Sequence, residues 1–155
     1  MLKVNQKAPS FSLPDQAGNT HKLSDYKGKW VLLYFYPKDD TLGCTKEACA
    51  LRDNFPNFKK LKAVVLGASV DSVKSHDKFV NKYSLPFTLL ADEDKSLVNV
   101  YGVWGQKSFM GRKYMGTNRM SFLISPEGKV AKIYEKVKPA EHAEQVLADL
   151  KFLRK

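Results

Sequence analysis

Apolar residues in this chain are grouped into short runs that are bounded by proline, glycine and charged side chains. Two runs, 30–36 and 63–70, contain no charged residue and are rich in aromatic and β-branched types. A shorter run of the same kind covers 87–91. Continuous apolar runs are typical of strands that are buried on both faces of a sheet. We therefore expect three central strands at these positions.

Apolar residues three and four positions apart predict helices between these runs. The first helix covers 41–55 and is interrupted at Pro56, because proline lacks the backbone donor that a continuing helix requires. Further helices are predicted over 73–83 and 96–101, and Pro139 opens the last one.

Short extended segments near both ends of the chain predict antiparallel pairs. Segments 11–13 and 20–23 flank a turn and predict a small N-terminal hairpin, while 120–124 and 130–134 flank a Ser-Pro-Glu-Gly-Lys turn. The stretch 104–118 contains three glycines among basic and aromatic residues. We interpret it as a loop that borders a functional site.

The order of these elements predicts an α/β fold, because parallel crossovers are combined with a terminal antiparallel hairpin. We expect a central mixed β-sheet flanked by helices, with an N-terminal β-hairpin, and a thioredoxin-like topology fits this order. The chain has 155 residues, which is the size of one ordinary domain, and it contains no internal repeat or linker. A single domain is therefore expected over 1–155.

The formal net charge of +10 raises the question of a nucleic-acid partner. The excess is almost entirely lysine and is scattered along the chain, whereas recognition of phosphates and base edges favours arginine. We therefore expect a solvated basic surface and no specific nucleic-acid partner.

The longest apolar run, 30–36, is far shorter than the roughly 20 residues that a membrane helix needs. Residues 1–7 lack the apolar stretch of a secretory signal. These two features predict a soluble protein with no membrane partner and a cytoplasmic location.

The chain has two cysteines, Cys44 and Cys49, and their close spacing favours thiol chemistry. The histidines at 21, 76 and 142 do not lie at the spacing of zinc ligands, so we expect no metal and no cofactor. A structural disulfide would close a very short loop, where the entropic gain is smallest. The alternative is that the cysteines only pack as small apolar side chains.

Cys44 is predicted to lie in the first turn of a helix, directly after a buried strand. Unpaired backbone N–H groups and the positive end of the helix dipole favour a thiolate at that position. Thr41 can direct its hydroxyl to the same place or cap the helix, and Pro37 forms a rigid wall that limits water. Such a site can polarise a small oxygen compound.

The spacing Pro37-x-x-x-Thr41-x-x-Cys44 resembles the active-site pattern of the peroxiredoxins. The wider segment 36–49 is similar to the bacterioferritin comigratory (Q-type) branch, with the pattern Tyr-Pro-Lys-Asp-x-Thr-x-Gly-Cys-Thr-x-Glu-x-Cys. The similarity extends through most of the chain, in segments 8–14, 101–104, 114–116 and 119–128.

This resemblance implies a thioredoxin-dependent thiol peroxidase that reduces hydrogen peroxide and organic hydroperoxides in antioxidant defence and redox homeostasis. It makes Cys44 the peroxidatic cysteine, which becomes a sulfenic acid, and Cys49 the resolving cysteine. Their intramolecular disulfide would be reduced by a thioredoxin-like dithiol. Thr41 and Pro37 match pocket positions, and Arg119 matches the arginine that stabilises the thiolate and the departing oxygen. Members of this branch are often monomers, and we expect a monomer here.

An intact helix cannot join the two cysteines in one disulfide. A separation of five residues puts their Cα atoms about 8–9 Å apart, whereas a disulfide needs roughly 4.4–6.8 Å. We therefore predict that residues 41 to about 51 unwind after oxidation. Gly43 and Thr45 are weak helix formers and are compatible with unwinding.

Neighbouring acidic residues complicate this site. Asp39 and Asp40 are expected to point into solvent, because their charges oppose a thiolate. Glu47 is expected to pair at the surface with Arg52 or Lys46, or to help order the site, and we do not include it among the catalytic residues.

Two other functions remain open from the sequence. A thiol–disulfide oxidoreductase normally carries C-x-x-C at the start of the helix, and the longer gap here counts against it. A basic binding module or chaperone-like protein would make the cysteines incidental.

Overall fold

The computed structural model describes residues 2–154. The strands within that range are β1 (Ser12–Pro14), β2 (Thr20–Lys22), β3 (Trp30–Phe35), β4 (Ala63–Ser69), β5 (Thr88–Ala91), β6 (Trp104–Phe109), β7 (Arg112–Thr117), β8 (Met120–Ile124) and β9 (Val130–Tyr134). The helices are α1 (Leu42–Asp53), α2 (Phe55–Lys60), α3 (Val73–Tyr83), α4 (Ser96–Val100) and α5 (His142–Leu153), with a 3₁₀ turn at Leu23–Tyr26.

A mixed five-stranded sheet in the order β5-β4-β3-β8-β9 forms the centre of the structure. Strands β3, β4 and β5 are parallel, whereas β8 is antiparallel to both β3 and β9. The three central strands lie within one residue of the predicted bounds, and β1 and β2 form the predicted N-terminal hairpin. The predicted α/β fold with a thioredoxin-like arrangement is confirmed.

Side chains of β3 alternate between two apolar clusters, one on each face of the sheet. Leu32 and Tyr34 face the cluster that includes residues of α1, α2, α3 and α5. Leu33 and Phe35 face the cluster that includes residues of α4 and the N-terminal hairpin. Both faces of β3 are therefore buried, which explains its uninterrupted apolar sequence.

The stretch 104–118, which was expected to be a loop, contains the antiparallel hairpin β6–β7. Its two-residue turn consists of Met110 and Gly111, both with positive φ, 51° and 80°. Such a turn matches the twist of paired strands. Most side chains of this hairpin are exposed, so its sequence lacks the apolar alternation that identifies a half-buried strand.

Two helix boundaries also differ from the prediction. The predicted helix over 41–55 ends at Asp53, and a separate helix α2 accommodates Pro56 in its first turn, where proline loses no helical hydrogen bond. Helix α5 begins at His142 because the residues before it form a turn, in which the N–H of Glu141 donates to the carbonyl of Lys138. No helix within residues 2–154 is long and apolar enough to cross a membrane.

Candidate active site

Cys44 lies in the first turn of α1, at the end of the sheet where β3 stops. Its side chain is buried, with 1% of its surface exposed. The first N–H groups of a helix have no carbonyl partner within that helix, and they point toward its N-terminal end. The sulfur therefore lies in an environment that stabilises negative charge.

Arg119 connects this sulfur to a buried carboxylate. It directly precedes β8, the antiparallel neighbour of β3. Its Nη2 donates to Cys44 Sγ at 3.3 Å, and its Nη1 donates to Glu47 Oε1 at 2.7 Å. Gly43 permits this approach, because a Cβ there would lie 3.0 Å from Nη2 of Arg119.

Glu47 is fully buried on α1, so the expectation that it pairs at the surface is wrong. Arg52, one of its expected partners, instead contacts Asp53. Burial raises the pKa of Glu47 to about 7, even though Arg119 favours the carboxylate. Burial also disfavours the charged form of Arg119, but Glu47 and Cys44 together raise the pKa of that guanidinium. The three side chains form one electrostatic unit.

Thr41 occupies the N-cap position of α1, but its side chain does not cap the helix. Its hydroxyl donates to the carbonyl oxygen of Lys38 at 2.8 Å, so it braces the preceding turn. Pro37 is half-buried at the start of that turn. We refer to residues 37–41 as the active-site turn.

Cys49 lies further along α1 and is only partly buried. It lines a surface groove of about 440 Å³ together with Asp40, Thr41, Leu42, Thr45, Lys46 and Tyr83. Both cysteines are free thiols in this structure. Because α1 is continuous from Leu42 to Asp53, the helix must change shape before the two sulfurs can bond.

Asp39 is buried, with 8% of its surface exposed, so the expectation that it points into solvent is wrong. Its carboxylate lies 2.7 Å from His76 Nδ1 and accepts a hydrogen bond from the hydroxyl of Tyr36. Asp40 does lie at the surface, as expected, and its carboxylate contacts Lys82 Nζ at 2.8 Å. The two neighbouring residues differ because α3 offers a buried partner only to Asp39.

The stretch 104–118 leads directly into Arg119, and its hairpin carries a second cation, Lys107. Lys107 Nζ donates to the carbonyl oxygen of Thr117 at 3.0 Å. Burial lowers the pKa of Lys107 and the charge of Arg119 lowers it further, whereas the charge of Cys44 acts in the opposite direction.

Comparison with known proteins agrees with this geometry. Residues 4–133 match the AhpC/TSA family. Peroxiredoxin Bcp from Escherichia coli (strain K12) is 48% identical to this chain over 150 residues, which cover 97% of this chain and 96% of that protein. Peroxiredoxin Bcp from Bacillus subtilis (strain 168) is 47% identical over 150 residues, with coverage of 97% and 96%.

Solved structures give the same result. Peroxiredoxin Q from Xanthomonas campestris is 42% identical and superposes with a TM-score of 0.89, covering 94% of this chain and 92% of that one. A mutant of Xylella fastidiosa PrxQ is 34% identical and superposes with a TM-score of 0.95, covering 100% and 99%. This chain belongs to the AhpC/TSA family and, within it, to the Bcp, or Q-type, peroxiredoxins.

Proposed function

We propose that Cys44 is the peroxidatic cysteine of this thiol peroxidase and that Cys49 resolves the oxidised form. The observation that supports this most strongly is the guanidinium of Arg119, which lies 3.3 Å from Cys44 Sγ. Its charge stabilises a thiolate before the reaction and the oxygen that leaves during it. Among the described residues no guanidinium donates to Cys49, and we infer that Cys49 is the weaker nucleophile of the two.

The proposed catalytic cycle has three steps. The thiolate of Cys44 attacks the terminal oxygen of a hydroperoxide, the O–O bond breaks, and the departing alkoxide takes a proton from solvent. Cys44 is then a sulfenic acid. The thiol of Cys49 attacks this sulfur, water leaves, and a disulfide remains, which an external dithiol reduces by thiol–disulfide exchange. Thr41 and Pro37 shape the entrance to the sulfur.

The substrates that we propose are hydrogen peroxide and organic hydroperoxides. A bacterioferritin comigratory protein of Xanthomonas campestris, 41% identical to this chain, is described for its alkyl peroxide reduction activity. Since the chemistry acts on the O–O group, the same sulfur serves both classes. Stopped-flow rates with hydrogen peroxide and with tert-butyl hydroperoxide test this part.

We further propose that a thioredoxin-like dithiol is the reductant and that the protein works as a cytoplasmic monomer. Two free cysteines suit a reducing compartment. Sedimentation of the reduced and oxidised protein tests the oligomeric state. Turnover driven by thioredoxin, compared with turnover driven by glutathione, tests the reductant.

Replacing each cysteine separates the two proposed roles. Cys44→Ser is expected to abolish peroxide consumption, because the nucleophile is lost. Cys49→Ser is expected to reduce one equivalent of peroxide and then to stall when thioredoxin is the reductant. The measurements are peroxide consumption and mass spectrometry of the product after a sulfenic-acid trap. Trapping on Cys49 before Cys44 would reverse the assignment, and absence of peroxide consumption in the wild type would favour a disulfide oxidoreductase.

A further inference from the structure

A buried polar cluster lies directly behind the active-site turn. Its centre is the contact between Asp39 Oδ2 and His76 Nδ1 at 2.7 Å, and His76 is completely buried on α3. The hydroxyl of Ser75 donates to the same carboxylate oxygen at 2.8 Å, and that of Tyr36 donates to the other oxygen at 2.6 Å. The mechanism proposed above does not use this cluster.

The hydrogen bonds of His76 determine how many protons the cluster holds. Nε2 lies 2.8 Å from the carbonyl oxygen of Leu90, which can only accept, so Nε2 carries a hydrogen. The hydrogen bond between Nδ1 and Asp39 Oδ2 requires one further proton, which lies either on the ring nitrogen or on the carboxyl oxygen. In both cases the pair has no net charge. His76 therefore neutralises Asp39.

The other ionisable groups around His76 come from separate elements. Tyr36 follows β3, and burial together with the charge of Asp39 raises the pKa of its hydroxyl well above the usual value. Asp71, which follows β4, accepts from the backbone N–H of Asp39 at 2.9 Å and from the hydroxyl of Ser69 at 2.6 Å. Asp39 is thus held by its backbone and by its side chain.

All of these anchors lie outside α1. The active-site turn is attached to α3 and to the loop after β4, whereas Cys44 and Cys49 both lie on α1. Helix α1 can therefore open without releasing the turn. Tyr36, which donates to Asp39, lies in the same buried cluster as Cys44, so an unpaired charge on Asp39 would lie near the sulfur.

We propose that His76 is a positioning residue for the peroxidase reaction. It holds Asp39, and with it the active-site turn, and it removes the negative charge that would otherwise oppose the thiolate of Cys44. The proposal rests on the role of Cys44 proposed above.

The test compares single and double charge changes at this pair. His76→Gln leaves Asp39 as an unpaired anion. We expect the peroxide rate at neutral pH to fall about tenfold, because a nearby negative charge lowers the fraction of Cys44 that is thiolate. The pH profile of Cys44 alkylation by iodoacetamide, followed by mass spectrometry, should move toward alkaline pH. Asp39→Asn combined with His76→Gln removes both charges and should return the rate and the profile close to wild type.

The matched control is the other histidine–aspartate pair in the described part of the chain. His21 Nε2 and Asp15 Oδ2 also lie 2.7 Å apart, but on the N-terminal hairpin. His21→Gln should leave both measurements unchanged. The proposal is overturned if His76→Gln reacts like wild type, or if the double variant is no faster than the single one.

A second pair of variants covers a failure of His76→Gln to fold. Asp39→Asn preserves hydrogen bonding with a neutral ring and should react nearly like wild type. Asp39→Ala removes the side-chain anchor of the turn and leaves only the backbone bond to Asp71, so it should be slower. Equal rates for these two variants would overturn the proposal, whereas complete inactivity of the wild type toward peroxides would instead overturn the role of Cys44.

Discussion

At the scale of single residues, one guanidinium contacts two groups that can be anionic. The planar fork of Arg119 directs Nη2 to the sulfur of Cys44 and Nη1 to the carboxylate of Glu47. Lysine cannot reproduce this arrangement, because its ammonium is a single point charge on a flexible stem. The geometry of Arg119 matters as much as its charge.

We therefore expect Arg119→Lys to slow the peroxide step although the positive charge is kept. Loss of one donor to a developing oxyanion typically reduces the rate by about 10²–10³. The second-order rate constant is measured by stopped-flow fluorescence, with circular dichroism to verify folding. Arg112→Lys on the exposed hairpin is the control. An unchanged rate would show that the planar fork of Arg119 is not needed for the peroxide step.

A second prediction at this scale concerns the effect of Glu47 on the pH dependence of stability. Its pKa is raised from 4.5 to about 7 in the folded protein, mainly by burial, so folding favours the protonated form. The protonated carboxyl group contributes fully to the free energy of unfolding below pH 4.5, and this contribution is lost as the pH rises through 7. The loss amounts to up to about 3 kcal/mol. Glu47→Gln removes the titration.

The free energies of unfolding of the reduced wild type and of Glu47→Gln are compared at pH 5 and pH 8. The variant should gain stability relative to wild type as the pH rises. Asp53→Asn, an exposed position on the same helix, is the control. A difference that stays constant between the two pH values would contradict the prediction.

At the scale of elements, the continuous helix α1 is incompatible with the disulfide that we propose between its two cysteines. The helix is continuous through both cysteines, yet a disulfide between them is sterically impossible in that form. The active-site turn before it is anchored elsewhere, and α2 after it is a separate helix. Opening can therefore be confined to α1.

Hydrogen exchange tests this opening. We expect amides over residues 45–51 to exchange faster in the disulfide form than in the reduced form, because their helical hydrogen bonds are broken. Amides of α3 should not change. Cys49→Ser oxidised to the sulfenic acid should retain slow exchange, since no disulfide forms. Equal protection of α1 in both forms would refute local unwinding.

At the scale of the whole molecule, two buried titratable groups, Glu47 and His142, affect the pH dependence of the free energy of unfolding in opposite directions. Helix α5 packs on the same face of the sheet as α1, and His142 is fully buried there, with Nε2 2.8 Å from Ser121 Oγ. Burial lowers the pKa of His142 to about 4. The folded protein therefore favours the neutral ring, and His142 and Glu47 partly offset each other between pH 4.5 and 6.5.

Because the pKa of His142 is lowered in the folded protein, its neutral ring contributes to the free energy of unfolding above pH 6.5. This contribution is lost as the pH falls toward 4. The size of the effect is up to about 3 kcal/mol. In Glu47→Gln the opposing contribution of Glu47 is absent, so the free energy of unfolding should fall steadily from pH 7 to pH 4. Adding His142→Gln should flatten that fall. Chemical denaturation at several pH values measures it, and an unaltered slope would contradict the assignment.

The amino-acid sequence by itself determined the order along the chain of the five strands of the central sheet and the place of Cys44. Burial follows local periodicities, so uninterrupted apolar runs identified β3, β4 and β5, and helical spacing identified α1. The hairpin β6–β7 was missed because its exposed strands carry no such periodicity. Arg119 was found only through a motif shared with a family.

Only the tertiary structure decided which polar groups meet. Glu47 contacts Arg119, 72 positions away, because β8 lies beside β3 in the sheet. Asp39 contacts His76, 37 positions away, because α3 packs behind the active-site turn. Contacts between distant segments depend on how sheets and helices pack, and no local pattern in the chain records that packing.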